Sequence, residues 1–305
     1  MRGQNLRHWV LLVSLLLAGP AMATQLSPEE SLLEAYRGIG QGGALQQYPF
    51  HIDSSEQGDL LSADVFMLLD MRYTQFRGSL QTARNWCDFL ILTLNIKSCV
   101  NQQQAGRESL LLYAGRKQYQ PPEITYQLKY DFILPHNSAH YFEAVMVAEK
   151  GPMRTRDYNI RVQATPYSDK TLVRLGMSYN TSIFSRAATY TYLNTLGRNK
   201  IGFTVVGRDE KGEPVYTEGM KAVIERNVMR YFLAVSVYLE AMKGTKKLDF
   251  RNLLQQWFDA TERYHAQLYE YERDTYIKAK LQERLNQQEL QQKVDLKAMK
   301  RRTRG

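Results

Sequence analysis

Apolar and polar side chains alternate along the chain between residues 108 and 206. In the stretch 124–132 every second residue is apolar or aromatic and the residues between are polar, and the same alternation returns at 158–164 and 173–179. A further strand is expected at 141–148. A period of two is typical of strands with one buried and one solvated face. Because the joints between these strands are too short for crossover helices, the pattern predicts an antiparallel meander.

A long helix is predicted after the meander. Apolar residues recur at steps of three and four over residues 220–242, and the charged residues lie largely off that stripe. A strand-like segment, 200–207, precedes this helix, and an early strand is expected at 63–70. A sheet with one apolar face must be covered by another layer. We therefore expect the long helix to lie across the apolar face of the meander.

The stretch WCDFLILTLNIKSC carries the two cysteines of the chain, Cys87 and Cys99. A buried helix ending near Asn95 is favoured by apolar residues at steps of three and four: Leu80, Ala83, Cys87, Leu90 and Leu94. The alternation over 90–96 would instead suit a strand. One straight strand would hold the two α-carbons about 40 Å apart, whereas a disulfide needs less than about 7 Å. We expect the chain to turn back after the helix and Cys87 to pair with Cys99; two buried, unpaired thiols are the alternative.

The first 23 residues have the layout of a secretory signal. Arg2 and Arg7 precede an apolar run at 9–18, and Ala21-Met22-Ala23 forms a small-residue cleavage site. The run is about half of the roughly 20 residues that a spanning helix needs. Cleavage after Ala23 and export, in best agreement with a bacterial periplasm, are therefore expected, with an uncleaved anchor as the alternative. In such a compartment an isolated cysteine pair is usually a structural disulfide.

The composition changes after about residue 245, where a helical extension is predicted. Its apolar residues keep alternating steps of four and three: Phe250, Leu254, Trp257, Thr261, Tyr264, Leu268 and Tyr271. Such a seam packs against the chain's own domain, pairs with a second copy through 250–271, or binds another partner. The chain ends in a group of basic residues that would contact anionic lipid headgroups or stay solvated: Lys297, Lys300, Arg301, Arg302 and Arg304.

Catalytic and metal-binding patterns are weak. The segment GIGQGG at 38–43 matches a dinucleotide-binding pattern, but a helical segment precedes it where a strand is needed, so a loop is expected. His136 and His140 have the spacing of metal ligands but lack an identifiable third ligand. The segment HIDSS at 51–55 is interpreted as an ordinary turn. Three carboxylates face a cavity or are paired at the surface: Asp64, Glu143 and Glu225. No catalytic residue, metal or cofactor is predicted. The net charge of +9 would suit nucleic acid, but the predicted export argues against that partner.

The order of the predicted elements resembles the helix-grip fold of the START and Bet v 1-like superfamily. The predicted fold class is α+β, with an antiparallel β-meander gripping a long amphipathic helix. The resemblance covers roughly 45–243, between an N-terminal segment at 24–44 and the extension at 244–305. It implies a cavity between sheet and helix, which most relatives use for lipids, sterols or other hydrophobic molecules and a minority for cyclase or hydrolase chemistry. The chain departs from the pattern in having one early helix and an inserted segment at 180–199.

These patterns favour an exported protein that binds a hydrophobic, lipid-like molecule without enzymatic activity. An envelope scaffold protein acting through its C-terminal arm and an enzyme on the same fold are the alternatives. A cavity between sheet and helix would favour binding, and polar side chains converging in it would favour the enzyme. The predicted wall of the cavity consists of Tyr126, Leu128, Tyr130, Ile160, Val162, Leu175 and Met177 on the sheet and Ile224, Val228, Phe232 and Val235 on the helix.

Overall fold

The computed structural model describes residues 26–41, 49–195, 197–243 and 248–302. The predicted signal sequence and its cleavage site lie outside the described residues. The strands are β1 His51–Gln57, β2 Leu60–Leu69, β3 Ile96–Gln104, β4 Arg107–Ala114, β5 Tyr126–Asn137, β6 Phe142–Lys150, β7 Arg156–Tyr167, β8 Lys170–Asn180, β9 Val205–Arg208 and β10 Pro214–Tyr216. The helices are α1 Pro28–Gln41, α2 Tyr73–Leu80, α3 Ala83–Leu90, α4 Ile183–Asn194, α5 Gly219–Ala241, α6 Phe250–Glu262, α7 His265–Leu268 and α8 Arg273–Arg302.

The predicted α+β fold class is confirmed. Among the described residues eight strands form one antiparallel sheet, in the order β1-β2-β8-β7-β6-β5-β4-β3. Strands β5 to β8 are the predicted meander, and α5 is the predicted long helix. This helix packs mainly against β1, β2 and β8. It therefore lies over one side of the sheet and not, as was expected, across the whole meander, because β1 and β2 extend the sheet beyond β8. The apolar stripe of α5 and the inward faces of these strands share one buried core.

Strand β5 begins two residues later than the alternation indicated. Ile124 belongs to a 3-10 turn, Pro122–Ile124, and is 67% exposed. The prolines at 121 and 122 account for the difference, since proline fixes φ and removes a backbone donor from the ladder. Segment 51–55 was also misassigned. It forms the edge strand β1 instead of a turn, because residues 51–57 pair along β2 in unbroken register.

The segment between β2 and β3 differs from the prediction in two ways. It holds two short helices, α2 and α3, instead of one, with the break at Gln81 and Thr82. Helix α3 ends at Leu90, not near Asn95, because the chain reverses over 91–95 and continues as β3. Cys99 on β3 thereby meets Cys87 in the last turn of α3, with α-carbons 5.1 Å apart, and the predicted disulfide is confirmed.

Two further segments depart from their predictions. Of the strand-like stretch 200–207 only the end is extended, and it pairs with β10 in a separate two-stranded ribbon. The part of GIGQGG that the structure describes continues helix α1 instead of forming a loop. The inserted segment 180–199 contains the helix α4, whose N-terminus is closed by a reciprocal capping box between Ser182 and Ser185.

The C-terminal extension is helical and packs against the chain's own core. Leu254, Trp257 and Leu268 are at most 3% exposed and join the same apolar cluster as α5. The structure therefore favours the first of the three alternatives for this seam. A homodimer through 250–271 would need the same side chains, of which Leu254, Trp257 and Leu268 are already buried within the chain. The division at residue 244 into separate domains stays a prediction.

Helix α8 covers β3, which ends the sheet on that side. The Gln291 side chain accepts a hydrogen bond from the Asn101 N–H at 2.9 Å and donates one to the Asn101 carbonyl at 3.0 Å. The Gln287 side chain accepts one from the Cys99 N–H at 2.8 Å and donates to the Cys87 carbonyl at 3.4 Å. These side-chain amides form hydrogen bonds with backbone groups of β3 to which another strand could otherwise bind.

Candidate functional site: the cavity between the sheet and the long helix

A cavity of about 320 Å³ lies between the sheet and the N-terminal half of α5. It sits where β8 ends and α5 begins, and the ends of β4, β5 and β7 complete its sheet side. Helix α4 and the 3-10 turn Pro152–Arg154 contribute further lining residues. Its apolar wall consists of Leu94, Ile96, Leu112, Ala114, Leu128, Met177, Met220 and Val223.

Three of the predicted wall residues line this cavity: Leu128, Tyr130 and Met177. Tyr126, at the start of β5, is 42% exposed. The other predicted residues are packed in the core away from the cavity: Ile160, Val162, Leu175, Ile224, Val228, Phe232 and Val235.

The helix side of the wall is displaced by about one residue from the predicted stripe. Val223, Asn227 and Tyr231 line the cavity, whereas Ile224 and Val228 are fully buried in the core. One residue along an α-helix turns the side chain by about 100°, so neighbouring positions face different surroundings. The strongest apolar stripe packs against the sheet, and the flanking, more polar stripe faces the cavity.

Four tyrosines dominate the polar lining: Tyr130, Tyr158, Tyr179 and Tyr231. Tyr158 stacks on Tyr179 with ring centroids 5.0 Å apart, and the Tyr130 ring meets Tyr158 edge-on at 6.3 Å. The Tyr158 hydroxyl shares a 2.7 Å hydrogen bond with that of Thr155. Among the described residues, the hydroxyls of Tyr130 and Tyr179 have no hydrogen-bond partner. Hydroxyls of residues that line a cavity can donate to an acceptor brought in by a ligand or by water.

Burial raises the pKa of each of these tyrosines. The pKa of Tyr130 lies well above its ordinary value, that of Tyr179 is raised mainly by burial, and that of Tyr231 rises to about 12. The four phenols are therefore neutral near pH 7. In that state they can donate hydrogen bonds but cannot act as bases.

One arginine, Arg230, also lines the cavity. It is 8% exposed, and one Nη donates to Glu270 at 2.8 Å. Lys117 pairs with the same carboxylate at 2.6 Å. Burial alone would raise the pKa of Glu270, but Arg230, Lys117 and Lys200 bring it below its ordinary value. Burial lowers the pKa of Arg230, and the attraction of Glu270 opposes that shift.

Sequence reasoning missed this part of the site for different reasons. Tyr158 and Tyr179 stand in the predicted strands, on the same alternation as Ile160 and Met177, so their face was visible. Arg230 lies off the main stripe of α5 and looked like a solvated charge. Its partner Glu270 is 40 residues away, and no periodic signal connects two such positions.

The three candidate carboxylates are paired and lie outside this cavity. Asp64 receives two hydrogen bonds from Arg174, and Glu143 pairs with Arg161 at 2.9 Å. Glu225 is fully buried. Its oxygens accept hydrogen bonds from the following groups: the Ser54 hydroxyl, the Phe203 N–H, and the N–H and hydroxyl of Thr204. Glu225 therefore fixes β1 and the segment before β9 to α5.

The histidine pair has a structural setting. His136 is part of β5 and lies 3.8 Å from Glu143, and His140 is exposed in the following turn. Within the ranges that the structure describes, no three His, Cys, Asp or Glu side chains are grouped to hold a metal ion. No described helix is both long and apolar enough to cross a membrane.

Two other surfaces bear on the predicted partners. A larger groove of about 890 Å³ runs between α6, the first turns of α8 and the 117–119 loop. Much of its lining consists of exposed polar side chains, including Arg251, Arg273, Lys278 and Gln282, so it is a groove at the surface. In the basic end, Lys297 and Lys300 are exposed on α8, whereas Arg304 lies outside the described residues. Membrane contact through this group, which includes Arg301 and Arg302, stays a prediction.

Comparisons with known proteins give fold neighbours only. No protein-family model matches the chain, and no curated protein matches it significantly. Solved structures similar to it include Ara h 8.0201, with a TM-score of 0.34, 9% identity and coverage of 63% of this chain and 98% of that one. Norcoclaurine synthase from Thalictrum flavum has a TM-score of 0.32 and 10% identity, covering 51% of this chain and 86% of that one. Human STARD10 has a TM-score of 0.28 and 5% identity, covering 59% and 79%.

Bet v 1-like and START proteins are thus among the structural neighbours, in line with the resemblance found in the sequence. At TM-scores this low, the likeness supports no inference about activity or ligand.

Proposed function

We propose that this chain is an exported binding protein that holds a hydrophobic, lipid-like small molecule between its sheet and α5. The observation that carries the proposal is the cavity of about 320 Å³ between the sheet and α5. Ligand pockets in proteins span about 300 to 1,000 Å³ and combine apolar walls with a few placed polar groups. The cavity has this composition, and its volume suits a small, single-chain ligand.

Polar side chains do converge in the cavity, which by itself would favour an enzyme, but the chemical groups they carry favour binding over catalysis. Among the described residues that line it there is no carboxylate, imidazole, thiol or amine. A general base needs a pKa near the working pH, and the raised pKa of each lining tyrosine keeps its phenol protonated. Such a site can orient a ligand through donated hydrogen bonds but has no group to take a proton from it.

Two valines on α5 provide a matched test. Val223 lines the cavity and is only half-buried, whereas Val228 is fully buried in the core. We expect Val223→Trp to fill the cavity and abolish binding of a fluorescent fatty-acid or sterol analogue while the melting temperature stays close to that of the parent. Val228→Trp should overpack the core and cost about 1 to 3 kcal/mol of the free energy of unfolding.

Thermal melts and fluorescence titrations on the parent and both variants decide the question. Organic extraction of natively purified protein, followed by mass spectrometry, would identify a ligand that stays bound. The proposal fails if the parent binds none of the analogues and Val223→Trp is destabilised as much as Val228→Trp. Together, these two results would show that Val223 is packed like a core residue and that no ligand binds beside it.

A further inference from the structure

Cations outnumber carboxylates around Arg230. Lys117 and Arg230 share Glu270, and Lys200 donates to the carbonyl of Tyr269, the residue before it. Arg226 lies one turn before Arg230 on α5, is 3% exposed and donates to the Ile201 carbonyl. Burial and the repulsion of Arg230 lower the pKa of Arg226 to about 10. Four cations thus surround one shared carboxylate.

The nearest other carboxylate does not remove this excess. Glu225 attracts Arg226, but its oxygens are occupied by hydroxyl and backbone donors from Ser54, Phe203 and Thr204. With Glu225 counted, four cations still face two carboxylates. Lys117 and Lys200 are partly exposed, so solvent screens part of their charge, whereas Arg226 and Arg230 are buried. The surplus of positive charge would still attract an anion placed beside the two arginines.

Arg230 connects this excess of positive charge to the cavity. A guanidinium offers five N–H donors, and Glu270 takes one of them in the hydrogen bond from Nη. The Nε atom is buried and has no hydrogen-bond partner among the described residues. An unsatisfied donor on a buried cation is costly. Because Arg230 lines the cavity, an acceptor that reaches its guanidinium from there would be stabilising.

The other polar groups of the lining complement an acceptor as well. The neutral phenols of Tyr130 and Tyr179 can donate hydrogen bonds, and the Asn227 amide has two N–H donors. A carboxylate or phosphate oxygen accepts such bonds and brings the negative charge that the cations lack. A hydroxyl head would satisfy one donor and leave the charge excess unchanged.

We propose that the ligand of this cavity is a single-chain amphiphile with an anionic head group, bound through Arg230. This inference rests on the proposed function, because it requires that the cavity binds a ligand. The apolar wall formed by residues such as Leu128 and Met177 would hold the chain of the amphiphile, and the Arg230 end would hold its head.

The unmodified protein provides the first test. Isothermal titration with decanoic acid and with decan-1-ol, at about pH 7.5, compares an ionised and a neutral head on the same chain. We expect the acid to bind about tenfold more tightly or better, which corresponds to at least one charge-assisted hydrogen bond. Equal binding, or tighter binding of the alcohol, would overturn the anionic head and leave the proposed function standing. Binding of neither ligand would overturn both.

A variant pair assigns the preference to Arg230. Arg230→Gln should remove the preference for the acid and leave the affinity for the alcohol within about twofold. Arg107→Gln is the control for net charge, since Arg107 is exposed at the start of β4, at the far end of that strand from Ala114 in the cavity wall. If Arg230→Gln is unstable, the double variant Arg230→Gln/Glu270→Gln removes both charges, and the same loss is expected. An acid preference that survives in a folded Arg230 variant contradicts the proposal.

Discussion

Two lysines share one carboxylate beneath α8. Glu283 lies 3.0 Å from the Lys97 ammonium and 2.7 Å from that of Lys280, and the three side chains are at most 2% exposed. The ammonium groups also donate to the backbone carbonyls of Thr93, Leu94, Ile96 and Lys117. Glu283 is the only counter-ion that either lysine has among the described residues, so each partner contributes differently to stability.

Replacing the Glu283 carboxylate should destabilise the protein more than replacing one of the two lysines. Glu283→Gln leaves two buried ammonium groups without a counter-ion, and we expect a loss of about 3 to 5 kcal/mol of the free energy of unfolding. Lys280→Met leaves Glu283 paired one-to-one with Lys97 but removes the donor from two backbone carbonyls. We expect this variant to lose about 1 to 3 kcal/mol of the free energy of unfolding. Urea unfolding of both variants measures the difference. Glu289→Gln, on the exposed face of the same helix, is the control, and equal losses in the first two variants would contradict this account.

The same lysine predicts a dependence on pH. Burial lowers the pKa of Lys280 to about 8, with Lys97 adding repulsion and Glu283 opposing the shift. A lysine whose folded-state pKa is lowered binds fewer protons in the folded state, so its contribution to stability rises with pH above about 8 and is least favourable below it. Between about pH 8 and 9.5 the parent should gain up to about 1.4 kcal/mol per unit relative to Lys280→Met.

Unfolding free energies of the parent and Lys280→Met at a series of pH values test this. Because Lys97 is present in both proteins, its own lowered pKa shifts both curves in the same direction. The series should stop below pH 10. Above that pH the buried tyrosines, whose pKa values are raised in the folded protein, ionise more readily in the unfolded chain, and this lowers stability. A constant difference between the two proteins across the series would mean that Lys280 does not titrate there.

At the scale of single residues, the sequence indicated apolar faces but not the cavity itself. Leu128, Tyr130 and Met177 were found because alternation along a strand marks its inward face. Val223 and Asn227 were missed because the cavity is lined by the stripe beside the strongest one on α5. Which of two neighbouring stripes meets a gap in packing depends on the opposite strands, and the pattern of one element carries no information about that.

At the scale of elements, the spacing of apolar residues was sufficient to predict a strand or helix wherever that element has one buried face. The meander and α5 have clear periods, and both were predicted correctly. The segment 86–99 contains a helical turn, a reversal and a buried strand within one apolar run, so both periods fit parts of it. The length of the loop closed by the disulfide excluded a single strand, but it did not indicate where the helix ends.

The contact between α8 and β3 gives a prediction at this scale. Gln287→Ala removes the acceptor for the buried N–H of Cys99, and we expect a loss of about 1 to 3 kcal/mol of the free energy of unfolding. The neighbouring Gln288 is exposed on the same helix, and Gln288→Ala should change stability by less than about 0.5 kcal/mol. Thermal or urea melts compare the two. Similar changes in the two variants would contradict a stabilising role for the Gln287 hydrogen bond, since alanine is the better helix former at both positions.

At the scale of the whole molecule, the helical extension is part of the core. The sequence left open whether residues after 245 bind back, pair with a second copy or reach another partner, because an apolar seam suits all three. In the structure Trp257 stacks against Tyr276 of α8, with ring centroids 5.0 Å apart, and the Trp257 indole donates to the Arg230 carbonyl. The extension therefore also supports the turn of α5 that carries Arg230.

Export and oxidation are expected together. We predict that protein recovered from the periplasm of an expressing bacterium begins near Thr24 and carries the Cys87–Cys99 bond. Closing a loop of this length should contribute about 3 kcal/mol in the chain-entropy model. Intact mass measured before and after reduction, with alkylation of thiols, tests both parts. An intact N-terminus would contradict cleavage, and two alkylatable thiols in freshly isolated protein would contradict oxidation.

The glutamine contacts that cover β3 have a consequence for biosynthesis. Cys99 and Gln287 are 188 residues apart in the chain, whereas Cys87 and Cys99 are separated by 12. At about 5 to 20 residues per second of ribosomal synthesis, β3 emerges roughly 10 to 40 s before the helix that covers it. During that interval a nascent chain presents the apolar run 86–96 and a following strand with an unpaired edge, which is prone to pairing with other chains. Production of this protein should therefore depend on general chaperones that bind extended apolar segments until α8 has been made.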